Sequence, residues 1–261
     1  MGTISKALDL LDLFTAIRPR IGLSDAARLS GLNKATCHRL LTDLTAAGLL
    51  EQVGATREYR LGPAVLRLAA LREATVPMLA AARPELERLA EATGETAHVS
   101  LLVGGRLKAV DHAYSTRHSM RVMMSDADDL PFHATASGLA VLAALPADRQ
   151  AGLLAAPLPA LTPLTETDPA RLARRLDEVR ARGHAESLGG FQPDVHSLAV
   201  PLFGADGACA GALAVAAPAA RMTPTARALI RAALIRAGLS ITTQWGGVPP
   251  GDFAASWRQA A

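Results

Sequence analysis

Lys34, Ala35, Thr36, His38, Arg39 and Thr42 are the side chains of this 261-residue sequence whose types and spacing offer the most chemistry. At about 100° per residue in a helix, Ala35, Arg39 and Thr42 share one side, flanked by Thr36 and His38. Cys37, Leu40, Leu41 and Leu44 fall at i, i+3, i+4 and i+7 on the other side, the stripe that packs on a core. Such a helix presents cations, hydroxyls and a small methyl outward. Arg39 and Lys34 suit phosphate oxygens or guanine edges, Thr36 can donate or accept, and Ala35 leaves room for a thymine methyl. Ser24 stands ahead of this helix, and Arg57 and Arg60 stand behind it, within reach of an adjacent backbone or minor groove. The alternative is a plain amphipathic helical hairpin whose basic residues are only solvated.

The elements that must position these residues are legible. Ser24–Ser30 is a short helix with Ser24 as its N-cap and Asp25 in its first turn. Gly31-Leu32 breaks it, Asn33 caps a second helix from Lys34 to Ala47, and Gly48 ends that helix. Two helices joined by a tight glycine-containing turn form a helix-turn-helix. Residues 49–53, a turn through Gly54-Ala55-Thr56, and residues 57–61 then form a hairpin, which completes a winged helix. Ile4, Leu8 and Leu11 mark a first helix running through Thr15.

The charge distribution agrees. Residues 1–75 hold 10 Lys+Arg against 7 Asp+Glu, whereas residues 76–261 hold 17 against 17. The excess is modest, so one copy would bind DNA weakly and specific binding calls for two or more copies on paired half-sites. Arg outnumbers Lys 24 to 3, which genome composition explains before function does.

Length allows one or two domains, and 50% hydrophobic residues supply a large core, filled by Ala, Leu and Val because aromatics are only 3%. Two cysteines, Cys37 and Cys209, are too few for a disulfide framework and fit a reducing cytosol. Lys6, Asp9 and Asp12 interrupt any secretory pattern, and the longest uncharged run, Leu130 to Ala147, is broken by Pro131, His133 and Pro146. A soluble cytoplasmic protein with no membrane contact is expected.

After the wing, Pro63 opens a linker helix over 63–75, and 76–93 begins another domain. Thr96–Val103, Gly104-Gly105 and Arg106–Tyr114 form a hairpin, and Ser119–Met124 is expected to add a strand. Ala136–Leu145 is a helix stopped by Pro146, and Asp168 caps another that Gly183 closes. Strands at 198–203 and 208–216 pair across Gly204–Gly207, and Thr223-Pro224 opens a last helix. The expected domains are 1–62, the linker 63–75, 76–245, and an irregular tail over 246–261. Hairpins sharing a core with separated helices imply an α+β fold around an antiparallel sheet.

Other constellations are weaker. Asp111, His112, His118 and His133 match no metal-ligand spacing, and no motif demands a cofactor. Ser137 with His133 lacks the G-x-S-x-G elbow of a hydrolase, so no enzyme is expected. His98 and His112 alternate with apolar neighbours and suit solvated or core-satisfied positions.

The order of parts resembles the IclR-type family of bacterial transcriptional regulators over nearly the whole chain. The strings Ser5–Leu11, Leu32–Leu41, Tyr59–Gly62, Gly94–Thr96, Phe132–Gly138 and Leu198–Pro201 carry the resemblance. It implies a winged-helix reader, a linker helix that pairs subunits, and a GAF-like effector domain. It also implies homodimers or tetramers that control catabolic operons in response to a metabolite. Carried over by position, the effector cavity would be lined by Val122 or Met123, Leu130, Ala136, Ser137, Ser187, Ser197, Ala214 and Ala216. The sequence departs from the family pattern at Leu139, where Lys is usual, at Gly190, where Glu is frequent, and at Ala214 and Ala216, where some members have serines. Each change removes polarity, which favours a larger or less polar aromatic or aliphatic acid over one as small as glyoxylate. Ser137 and the backbone N–H groups opening its helix would anchor the acid.

The function expected is therefore a sequence-specific regulator of double-stranded DNA under the control of a small organic acid. A constitutive architectural DNA-binding protein would ignore every metabolite, and a metabolite sensor or enzyme would bind ligand without DNA.

Overall fold

The computed structural model describes residues 2–14, 18–54, 56–75, 78–124 and 129–260, which divide into two units, Met1–Pro77 and Met78–Ala261. The first unit holds α1 (Thr3–Leu11), α2 (Leu23–Ser30), α3 (Lys34–Ala46), the hairpin β1 (Leu50–Gln52) and β2 (Tyr59–Leu61), and α4 (Pro63–Thr75). Cys37, Leu40, Leu41 and Leu44 of α3 are buried with Leu10, Ile21, Ala26, Leu50 and Tyr59, so the 3.6-residue stripe does form the core. The α2–α3 turn depends on Gly31, whose φ of +69° a side chain would oppose. Asn33 Oδ1 accepts the Thr36 N–H at 2.8 Å and so fixes the start of α3.

One local expectation fails here. Ser24 is not an N-cap: Gly22 holds that position, Leu23 opens the helix, and no side chain caps it. The extended conformation of Gly22 starts the helix two residues earlier than the hydroxyl suggests. α1 ends at Leu11, and the expected end at Thr15 lies outside the described residues, as do Ala55 in the wing turn and Pro77.

The second unit is an α+β domain around an antiparallel sheet. Its elements are α5 (Met78–Thr93), β3 (Thr96–Val103), β4 (Arg106–Ala113), α6 (Ala136–Ala144), α7 (Ala147–Leu154), α8 (Pro169–Arg182), β5 (Ala185–Leu188), β6 (Val195–Phe203), β7 (Cys209–Pro218), α9 (Pro224–Gln244) and α10 (Gly251–Ala260). The strand order is β4-β3-β7-β6-β5. Strand alternation turns Ser197 and Ala216 toward α6, while Val200 meets Gly238 of α9 on the opposite face. The sheet is thus covered on both sides by apolar helix surface.

Residues 119–124 form no strand. Val122 and Met124 pair with side chains instead of a ladder: Thr96 Oγ1 donates to Val122 O at 2.8 Å, and Met124 N–H donates to Tyr114 Oη at 3.1 Å. The tail is not irregular either. α10 buries Phe253 and Trp257 against Phe203, with ring centroids 5.7 and 6.3 Å away, and Trp257 Nε1–H donates to Gly183 O at 2.7 Å. Two aromatic anchors four residues apart form one helix face, so the residues after Trp245 belong to the second unit.

Candidate DNA interface and ligand cavity

Lys34, Ala35, His38, Arg39 and Thr42 are exposed along α3, with Thr36 half-buried beside them. Arg39 reaches Asp43 at 3.4 Å, an exposed i,i+4 pair weak enough for a stronger acceptor to replace. The Thr42 hydroxyl donates to His38 O at 2.9 Å, so toward a partner it presents only lone pairs and a methyl. Ser24 is exposed in the first turn of α2, where a hydroxyl and free backbone N–H groups suit a phosphate.

The wing places Arg57 at its tip in the left-handed region, φ +55°. Arg57 N–H donates to Val53 O at 2.9 Å, and Gln52 Nε2 donates to Arg57 O at 2.9 Å, which holds this uncommon conformation. His38 and Thr42 of α3 share one surface recess with Gln52, Arg57 and Tyr59 of the wing. Arg60 is differently placed. Its Nε lies 2.5 Å from Glu51 Oε1 across the hairpin, so its charge is locally neutralised. Thr45 and Gln52 also border the recess. The sequence signal for Gln52 was its outward polar position just before the wing turn.

In the second unit, a cavity of about 70 Å³ lies between β5, β6, β7 and the start of α6. A single water needs roughly 10–15 Å³, so the space suits a compact molecule. Val122, Met123, Leu130, Ala136, Ser137, Ser187, Ser197 and Ala216 line it, joined by His98, Phe191, Gln192 and Val195 among others. Among the described residues, no Lys, Arg, Asp or Glu belongs to that lining. Ala214 does not line it: fully buried, it is paired with His98 on one side and Ala199 on the other.

The polar groups of the cavity have distinct states. Thr135 Oγ1 accepts Gly138 N–H at 2.9 Å and caps α6, which leaves the N–H groups of Ala136 and Ser137 without an acceptor in the helix. Ser187 Oγ donates to Ala134 O at 2.7 Å and is spent on the protein. His98 Nε2 lies 3.2 Å from Ser137 Oγ. Burial, with His112 adding repulsion, pushes the His98 imidazole down to about 4. His133, the histidine near Ser137 in sequence, meets Pro159 O at 2.9 Å. His98 thus takes the place beside Ser137, and the signal was the polar series Thr96, His98, Ser100 at alternate positions of an otherwise apolar strand. The pair does not make a hydrolase dyad, because no acid orients Nδ1 among the described residues and so depressed an imidazole is a poor base.

The family departures act differently from what polarity alone suggests. Leu139 is buried away from the cavity and borders a separate recess with Arg175, His184, Glu186, His196 and Arg227. There His196 Nε2 at 2.6 Å and Arg227 Nη1 at 3.0 Å both meet Glu186 Oε1, holding that carboxyl down to about 2. At Gly190 a Cβ would stand 2.6 Å from Ala134 O and 2.8 Å from Ser187 Oγ, so close packing excludes a side chain there. Of the four departures, Ala216 alone lines the cavity.

Comparison with known proteins bears on both units. Residues 72–243 match the family model described as bacterial transcriptional regulator IclR C-terminal, and residues 3–54 match the IclR helix-turn-helix domain. The chain is 31% identical over 240 residues to the HTH-type transcriptional regulator BhcR of Paracoccus denitrificans, covering 92% of this chain and 85% of that one. It is 32% identical to the glycerol operon regulatory protein of Streptomyces griseus over 85% of this chain and 87% of the relative. A crystal structure described as an IclR transcriptional regulator from Silicibacter sp. TM1040 aligns with a TM-score of 0.85 and 57% identity, covering 97% of this chain and 99% of that one.

Proposed function

This chain belongs to the IclR family of bacterial transcriptional regulators, and from that premise we propose how it recognises DNA and what controls it. It is a DNA-binding regulator, not an enzyme. α3 lies in a major groove with Arg39, Lys34 and Thr36 toward base edges and phosphates, while Arg57 on the wing and Ser24 on α2 hold the backbone. The observation that carries this arrangement is the recess in which His38 and Thr42 of α3 meet Arg57 of the wing.

Two copies pair through α4, whose Leu66 is 75% exposed and Leu68 48% exposed on the single chain. Pairing sets half-sites roughly 34 Å apart, or a multiple of that. The ligand is a compact organic acid whose carboxylate meets the first turn of α6. The lining supports this choice because its described residues offer N–H donors and apolar walls but no Lys or Arg. The acid shifts DNA binding only through differential affinity for two subunit arrangements, a coupling of typically ~1–3 kcal/mol. The protein acts in the cytoplasm on a neighbouring catabolic operon. No helix among the described residues is long and apolar enough to cross a membrane.

Fluorescence anisotropy on the protein's own promoter fragment, at low salt, tests this. Acids that raise the melting temperature should change promoter affinity by about 5–150-fold. Promoter binding that ignores every stabilising acid would remove the ligand control, and failure to bind the promoter would remove the DNA assignment.

A further inference from the structure

His98 and Ser137 face each other from β3 and α6, both buried, and we infer that His98 is a positioning residue that makes Ser137 a hydrogen-bond donor to the ligand. The inference rests on the cavity being the acid site. It follows from the accounting of protons at the imidazole. Nδ1 is buried and has no hydrogen-bond partner among the described residues. If Nδ1 carried the proton, a buried N–H would be orphaned and Ser137 would spend its own proton on Nε2. If Nε2 carries it, the Nε2–H donates to Ser137 Oγ, and only a lone pair at Nδ1 is left over. Orphaned acceptors are tolerated better than orphaned N–H groups. The depressed basicity of His98 removes the doubly protonated form at neutral pH.

Ser137 then accepts from His98, and its hydroxyl proton is turned toward the cavity it lines. Together with the N–H groups of Ala136 and Ser137, this gives three donors at the α6 end of the space, and the described lining holds no Lys, Arg, Asp or Glu. That end selects an oxyanion. A monocarboxylate satisfies all three donors, whereas its primary amide replaces one acceptor oxygen with an NH2 donor and leaves a buried N–H facing an N–H. His98 therefore determines specificity through the Ser137 hydroxyl.

Long-range ¹H–¹⁵N NMR of the full-length labelled chain, with His98 identified by its loss in His98→Phe, reads the tautomer without any ligand. The expected result is an Nε2–H imidazole that does not titrate between pH 5 and 8; an Nδ1–H form, or a midpoint above pH 6, overturns the inference. Calorimetry with acetate, propionate and benzoate and their primary amides is the second arm. An acid that binds the wild type should bind at least tenfold more weakly to His98→Phe and Ser137→Ala. It should recover to within about threefold in His98→Gln, whose amide can donate to Oγ, and should outcompete its amide in the wild type. Undiminished acid binding to His98→Phe, or equal binding of acid and amide, overturns the positioning role. If none of these acids binds the wild type, the acid assignment of the cavity falls, and the tautomer measurement alone decides what His98 does.

Discussion

Arg60 and Glu51 face each other across the wing as register partners, with Nε 2.5 Å from Oε1, so these two residues meet DNA as one nearly neutral unit. Arg57 at the tip has no such carboxylate on its guanidinium among the described ion pairs. Removing Arg57 should therefore lower the slope of log affinity against log salt by about 0.9, the contribution of one phosphate contact. Arg60→Ala should change the slope by less than half of that, and Glu51→Gln, which releases the Arg60 charge, should steepen it. Salt titrations of promoter anisotropy decide between them; equal slopes for Arg57→Ala and Arg60→Ala would show that the pair opens on DNA.

α10 closes the second unit with two buried aromatic side chains, Phe253 and Trp257. Trp257 is 2% exposed and hydrogen-bonded to Gly183 O. Trp257→Ala should cost about 3–5 kcal/mol, the usual range for a buried aromatic, read as a lower urea midpoint. A loss under about 1 kcal/mol would mean that the tail is dispensable to the fold.

Two groups set two acid windows. His98 drops from its ordinary 6.5 to about 4, so between those values the unfolded chain takes up a proton that the native one refuses. Its contribution is present above pH 6.5 and is lost as pH falls toward 4, at up to about 1.4 kcal/mol per pH unit. Glu186 drops from 4.5 to about 2, held chiefly by His196 and then by Arg227, so its contribution is present above pH 4.5 and is lost as pH falls toward 2. Denaturant melts should show His98→Phe flattening the upper window and Glu186→Gln the lower. Parallel curves for wild type and variant would refute the assignment in that window.

Periodicity and caps made most of the architecture legible. The Cys37–Leu44 stripe, Asn33 before α3, and Asp168 accepting Ala170 N–H at 2.8 Å all act through neighbours within a few residues, which is what a sequence displays. β5 escaped notice because Ala185-Glu-Ser-Leu188 is a four-residue edge strand without a β-branched residue. α7 follows a proline at its N-cap and buries no side chain fully, so it carries no strong apolar stripe. The segment 119–124 has strand-like composition, but its backbone groups go to Thr96 and Tyr114 side chains, partners that only the folded chain brings near. The cavity divides similarly. Resemblance to a family locates Ser137, Ser187, Ser197 and Ala216, whereas His98 comes into place through β3–β7 pairing, and the distance of Leu139 from the cavity depends on how α6 packs.

The most direct test of DNA recognition is the affinity of wild type and Arg39→Ala for the chain's own promoter fragment and for a scrambled duplex, at one fixed salt concentration. Arg39 is exposed on α3 and, among the described residues, tethered only to Asp43 at 3.4 Å, so a guanine edge or phosphate can claim it. The expected result is a wild-type preference for the promoter that Arg39→Ala loses by about 1–3 kcal/mol, with binding to the scrambled duplex changed far less. An unchanged promoter preference in Arg39→Ala would contradict it, because the outward face of α3 would then not be the face that meets DNA.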